Sequence, residues 1–127
     1  MLVARIFSIG LAGFAGTLLR YWLSGVIAKR YGETFPYGTL VVNLIGCFVI
    51  GFLFYLFYDR ALGSPLIRTT LFIGLLGGFT TFSSYGLQTF TLVRDGELFL
   101  ALVNVLASNV IGLALVWVGY SLAKVVA

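Results

Sequence analysis

Four long apolar runs alternate along the chain with three short polar segments. The runs cover about Val3 to Ala28, Gly38 to Tyr58, Pro65 to Leu92 and Leu98 to Ala123. Each reaches or exceeds the roughly 20 residues an α-helix needs to cross the hydrocarbon core of a bilayer. The pattern predicts an all-α membrane protein with four transmembrane helices, forming one domain over residues 1–127. The segments between the runs, KRYGETFPYG, DRALGSP and RDGE, collect charges with glycine and proline, as expected of turns lying at water. The first run is too long, and too rich in glycine and arginine, for a cleavable signal peptide, so it is expected to remain in the protein.

Composition agrees with this solvent. The chain is 61% hydrophobic and only 9% charged, against roughly 25% charged in soluble proteins. All four acidic residues, Glu33, Asp59, Asp95 and Glu97, fall in the connections. The net charge of +4 does not point to nucleic acid, because the basic residues are scattered over both faces of the membrane, where anionic headgroups are natural partners. With an even number of spans, Arg5, Arg60, Arg68 and Lys124 fall on one side, and Lys29, Arg30, Arg94 and Arg20 on the other. The positive-inside rule finds no asymmetry in a four-to-four count. That balance suits a protein that inserts both ways and pairs as an antiparallel dimer, and equally suits a chain with too few charges to show a preference. There is no histidine, and Cys47 is alone within a span, which excludes His or Cys metal clusters, disulfides and histidine-based catalysis.

Small residues permit close helix packing where lipid gives no hydrophobic drive, the expected role of Gly10, Gly13, Gly16, Gly46, Gly51, Gly112, Gly119 and Cys47. Polar residues inside the spans say more. Asn43 shares a helix face with Thr39 and Gly46, and Asn104 begins an i, i+4, i+8 row with Ser108 and Gly112, beside Asn109. Amides are costly against lipid, so these face protein or a wet cavity. A single asparagine is equally explained by helix–helix hydrogen bonding; several on different helices favour a pore. In the third span, GGFTTFSSYGLQ places Thr80, Thr81, Ser84, Gln88 and Thr91 on an arc of about 100° beside a stripe of Phe79, Phe82 and Tyr85. Gly74, Gly77 and Gly78 make a helix break at mid-membrane the expectation, with freed carbonyls suited to a cation and hydroxyls suited to an anion.

GTLLR in the first span, GTLVVNLIG in the second and GGFTTFSSYG in the third together resemble the Fluc (CrcB) family of bacterial fluoride channels. The resemblance spans nearly the whole chain, and its most specific part is the third-span motif, similar to the family's GG-x-TTFS-x-F. It implies an antiparallel, dual-topology homodimer in the bacterial inner membrane, with two fluoride pores and a central structural sodium ion. On the matching positions, the main-chain carbonyls of Gly77 and Thr80 would hold sodium. Asn43, Phe82, Tyr85, Thr81, Ser83, Ser84, Asn104, Ser108 and Arg20 would line or serve the pore. Tyr85 stands where the family usually has its second phenylalanine, the clearest departure from the pattern.

The chemistry of the residues agrees with that implication. A dehydrated fluoride ion needs hydroxyl and amide donors in place of water, and aromatic edges add positive potential without a fixed charge. Arg20 near a pore mouth would draw anions in, or its side chain would reach to headgroups. Proton-coupled cation exporters of similar size need a carboxylate within a span, which this sequence lacks. A purely structural membrane subunit would account for the glycines but not for the polar stripes.

Overall fold

The structure is a computed structural model and describes residues 1–127. It is all-helical, with four helices long and apolar enough to cross a membrane: Leu2–Tyr31, Tyr37–Asp59, Pro65–Arg94 and Leu98–Val126. We call the first two α1 and α2. The third consists of α3 (residues 65–79) and α4 (Phe82–Arg94), and the last is α5 (Leu98–Val126). The helices run a few residues past the expected ends, so that Asp59 closes α2 instead of lying free in the loop. The ends obey local chemistry. Ser64 caps α3 by accepting from the Ile67 N–H at 3.3 Å, and Pro65 occupies the first turn, where its missing N–H costs nothing. Lys29 and Arg30 close α1 and Arg94 closes α4, cations at the negative ends of helix dipoles.

Only 15 of 127 residues are buried, and most large apolar side chains face outward. A soluble chain would not tolerate this, whereas a bilayer solvates those faces and leaves van der Waals packing to join the helices. Glycine makes that packing possible in two seams. Between α2 and α5, a Cβ on Gly51 would collide with the Val116 carbonyl, and one on Gly119 with the Phe48 carbonyl. Between α1 and α3, Gly16 lies against the Leu75 carbonyl and Phe79 N–H, and Gly78 against the Gly13 carbonyl. Gly10 differs from the expectation, since a Cβ there would meet nothing within 4 Å.

Two other expectations change with the local backbone. Thr80 and Thr81 are extended, with φ, ψ of −91°, 158° and −151°, 117°, so a helical wheel cannot be carried through them. The stripe of Phe79, Phe82 and Tyr85 divides accordingly: Phe79 is 9% exposed in the core, whereas Phe82 is 81% exposed. In the last span a widened π-helical turn at Ala107–Ile111 shifts the register. Asn104 therefore parts from Ser108, although sequence spacing puts both on one face.

Candidate functional site

The Thr80–Thr81 interruption redistributes a set of main-chain hydrogen bonds. In a continuous helix the Thr81 N–H would bond the Gly77 carbonyl; here it donates to Asn43 Oδ1 at 2.8 Å. The same amide returns the contact, Nδ2 donating to the Thr81 carbonyl at 2.9 Å. Asn43 thus pairs with Thr81 as one strand residue pairs with another, satisfying the Thr81 N–H that the interrupted helix leaves open. The Ser84 N–H, which would otherwise serve the Thr80 carbonyl, goes to Thr81 Oγ1 at 3.2 Å, making Thr81 the N-cap of α4. The Thr80 N–H and hydroxyl both return to the Leu76 carbonyl, at 3.0 and 2.9 Å. The Gly77 and Thr80 carbonyls are thus among those the break leaves without i+4 donors, as are the carbonyls of Gly78, which accepts from Arg20, and Phe79.

Arg20 reaches the same place. Its Nε donates to the Gly78 carbonyl at 3.0 Å, across 58 residues of sequence. The side chain is half-buried at the end of α3, and so does not reach outward to headgroups.

Against this interruption lies a groove of about 330 Å³. Asn43, Thr80, Thr81, Phe82, Tyr85 and Ser108 line it, with Gly77 at its wall. The Phe82 and Tyr85 rings lie 5.4 Å apart, inclined at 55°. Gly46 gives up its side-chain volume here, since a Cβ would strike the Thr80 methyl. Ser108 Oγ is shielded from solvent and has no hydrogen-bond partner. The groove thus joins ring edges, hydroxyls and two amides, and holds no ionisable carboxylate or cation. Such a lining can exchange hydrogen bonds with a small anion without trapping it in an ion pair.

Four residues expected at the pore do not line this groove. Asn104 is 2% exposed and donates instead to Thr89 Oγ1 at 2.9 Å, fastening α5 to α4. Ser83 and Ser84 turn toward Thr81 Oγ1, at 3.3 and 3.2 Å, within the first turn of α4. Arg20 is engaged at Gly78, as above. Cys47 and Asn109 also line it; Cys47 was expected only as a packing residue, and Asn109 only as one of several amides pointing to a pore, outside the set the motif match named. The i+4 spacing of Cys47 from Asn43 was a legible signal, and Asn109 was masked by the π-helical turn. A larger cavity of about 740 Å³ lies between α1, the first loop and the end of α4. It gathers Ser24, Thr39, Gln88 and Thr91 with Glu33 and Asp95, but none of the residues around the interruption. Chemistry favours the smaller groove as the candidate site.

Residues 7–120 match the family described as CrcB-like protein, Camphor Resistance (CrcB). The chain is 47% identical over 116 residues to the fluoride-specific ion channel FluC of Citrifermentans bemidjiense, covering 91% of this chain and 94% of that one. It is 43% identical over 119 residues to the protein of the same name from Aquifex aeolicus, covering 94% and 96%. For the one from Opitutus terrae the identity is 49% over 114 residues, covering 88% and 86%. Similarity of this extent, running through all four spans and the interruption at Thr80 and Thr81, means that the chain belongs to the CrcB-like family.

Proposed function

We propose that this protein is a fluoride-selective channel of a bacterial inner membrane, letting fluoride leave passively down its electrochemical gradient and so protecting the cell from it. The observation that carries the reading is the groove at the interruption, where Asn43, Phe82, Tyr85 and Ser108 supply donors and ring edges without a fixed charge. The name of the relatives, fluoride-specific ion channel, supports it, and it describes a channel, not an enzyme. A groove open along one side of a single chain needs a second wall. In this reading a second copy, inserted antiparallel, provides it, and twofold symmetry gives two pores per homodimer.

The interruption lies at mid-membrane in this reading, with a structural sodium ion at the centre of the dimer. The Gly77 and Thr80 carbonyls fit that ion, because the N–H groups that would have occupied them are diverted to Asn43 and Thr81. Bound there, sodium would supply a positive charge shared by the carbonyls of the two copies. Arg20, on Gly78, adds its positive charge at the end of α3, while Thr81, Ser83 and Ser84 form the hydroxyl turn that begins α4. Asn104 acts behind the groove by holding α5 to Thr89.

The test is reconstitution of the purified protein in liposomes loaded with fluoride or chloride. Rapid fluoride efflux with chloride retained is the expected result. Absence of fluoride efflux, or equal loss of both anions, overturns the reading.

A further inference from the structure

Tyr85 and Asn109 form a hydrogen-bonded pair across α4 and α5 that the fluoride-channel reading does not require. Asn109 Nδ2 has two protons. One goes to the Val105 carbonyl at 2.8 Å, one helical turn back, and the other to the Tyr85 hydroxyl oxygen at 3.1 Å. The carbonyl bond fixes the amide's orientation, so that its nitrogen and not its oxygen faces the tyrosine. A phenolic hydroxyl both donates and accepts. Here its acceptor role is taken by Asn109, and its own proton meets no acceptor in the chain. Both residues line the groove together with Ser108, whose hydroxyl is likewise without a partner.

The π-helical turn explains the arrangement. It carries Ser108 and Asn109, and by adding a residue to the turn it lets these two neighbours face the same groove. Had the amide been turned over, its oxygen would have accepted the tyrosine proton and closed the pair on itself. Instead one groove contains two hydroxyl protons with nothing in the chain to receive them. An acceptor-only guest, such as a dehydrated halide or hydroxide-sized anion, is the chemistry that completes them.

We infer that Tyr85 is a specificity-determining hydrogen-bond donor to the permeating anion, and that Asn109 is the positioning residue that keeps its proton directed into the groove. This rests on the fluoride-channel reading and adds to it a donor that a phenylalanine at the same place would not provide. The ring edge and the hydroxyl then act on the same ion from one side chain, and the hydroxyl favours the small anion, whose charge is most concentrated.

The test compares the unaltered protein with Tyr85→Phe, Asn109→Leu and the double variant in the same liposome assay, each first shown to elute as the same species. Tyr85→Phe is expected to slow fluoride efflux about tenfold, the equivalent of one hydrogen bond to a charged group. Asn109→Leu is expected to slow it comparably in the tyrosine protein and to have no further effect beside Tyr85→Phe. That non-additivity separates positioning from a merely structural contribution, which would slow both backgrounds alike. Efflux through Tyr85→Phe equal to or faster than the original overturns the donor assignment. Further slowing by Asn109→Leu in the phenylalanine background overturns the positioning role. Both results leave the channel reading standing, whereas failure of the unaltered protein to pass fluoride defeats that reading itself.

Discussion

Replacing Asn43 by leucine removes both of its bonds to Thr81 while keeping nearly the same side-chain volume. The Thr81 N–H loses its bond of 2.8 Å in a half-buried setting where no helix turn replaces it, whereas the carbonyl, losing its bond of 2.9 Å, still serves the first turn of α4 as the N-cap carbonyl. The unsatisfied donor costs about 1–3 kcal/mol. The lower half of that range applies if water enters the groove. Asn43→Asp is the informative companion: its carboxylate keeps an acceptor for the Thr81 N–H but sets a second oxygen against the Thr81 carbonyl. The leucine variant is expected to lower the melting midpoint in detergent by roughly 4–12 °C, taking about 4 °C per kcal/mol for a chain of this size. The measurement is the fraction remaining monodisperse after heating. The aspartate variant should also melt early, although it retains a hydrogen-bonding group at the groove. If the leucine variant melts with the original protein, the amide bridge does not hold the interruption and its role as described here is wrong.

Gly51→Val should abolish recovery of monodisperse protein, because the added Cβ meets the Val116 carbonyl backbone, which cannot move aside; Gly25→Ala, with open space at its Cβ, should match the original or gain up to about 1 kcal/mol in helix propensity. Arg20→Met should cost about 1–2 kcal/mol through loss of the charged donor to the Gly78 carbonyl, read as an earlier thermal transition, with Arg20→Lys recovering part of it. Exchanging sodium for N-methylglucamine throughout purification should weaken the homodimer on size exclusion, since a cation too large to enter cannot engage the Gly77 and Thr80 carbonyls; an unchanged dimer would show that those carbonyls serve another purpose.

The span pattern was legible because lipid imposes one requirement, apolar length with internal hydrogen bonding, on every helix. The breaks KRYGETFPYG, DRALGSP and RDGE were equally local, since charges and turn formers collect at water. The roles of Gly16 and Gly51 could be read as packing, but not their partners, since a small residue does not specify which backbone will approach it. At the candidate site, Asn43, Phe82, Tyr85 and Ser108 were found from residue type and motif. What the sequence concealed followed from two departures from a 100° repeat. The extended pair at Thr80 and Thr81 removed Phe79 from the aromatic stripe, and the π-helical turn at Ala107–Ile111 separated Asn104 from Ser108 and admitted Asn109. Arg20 was placed near a span end by sequence, yet its partner lies 58 residues away and no spacing rule reaches that far.

The glycine seam between α1 and α3 has a mechanical consequence. Gly13, Gly16 and Arg20 follow one another along α1 and engage the backbone at Gly78, at Leu75 and Phe79, and again at Gly78. They splint the first half of the third span to α1, the glycines by close main-chain approach and Arg20 by its side chain on the Gly78 carbonyl. The second half is moored differently, through the side chains of Asn104 and Asn109 on α5. The extended pair at Thr80 and Thr81 is thus the joint between two differently held halves of the span, where any deformation is expected to concentrate.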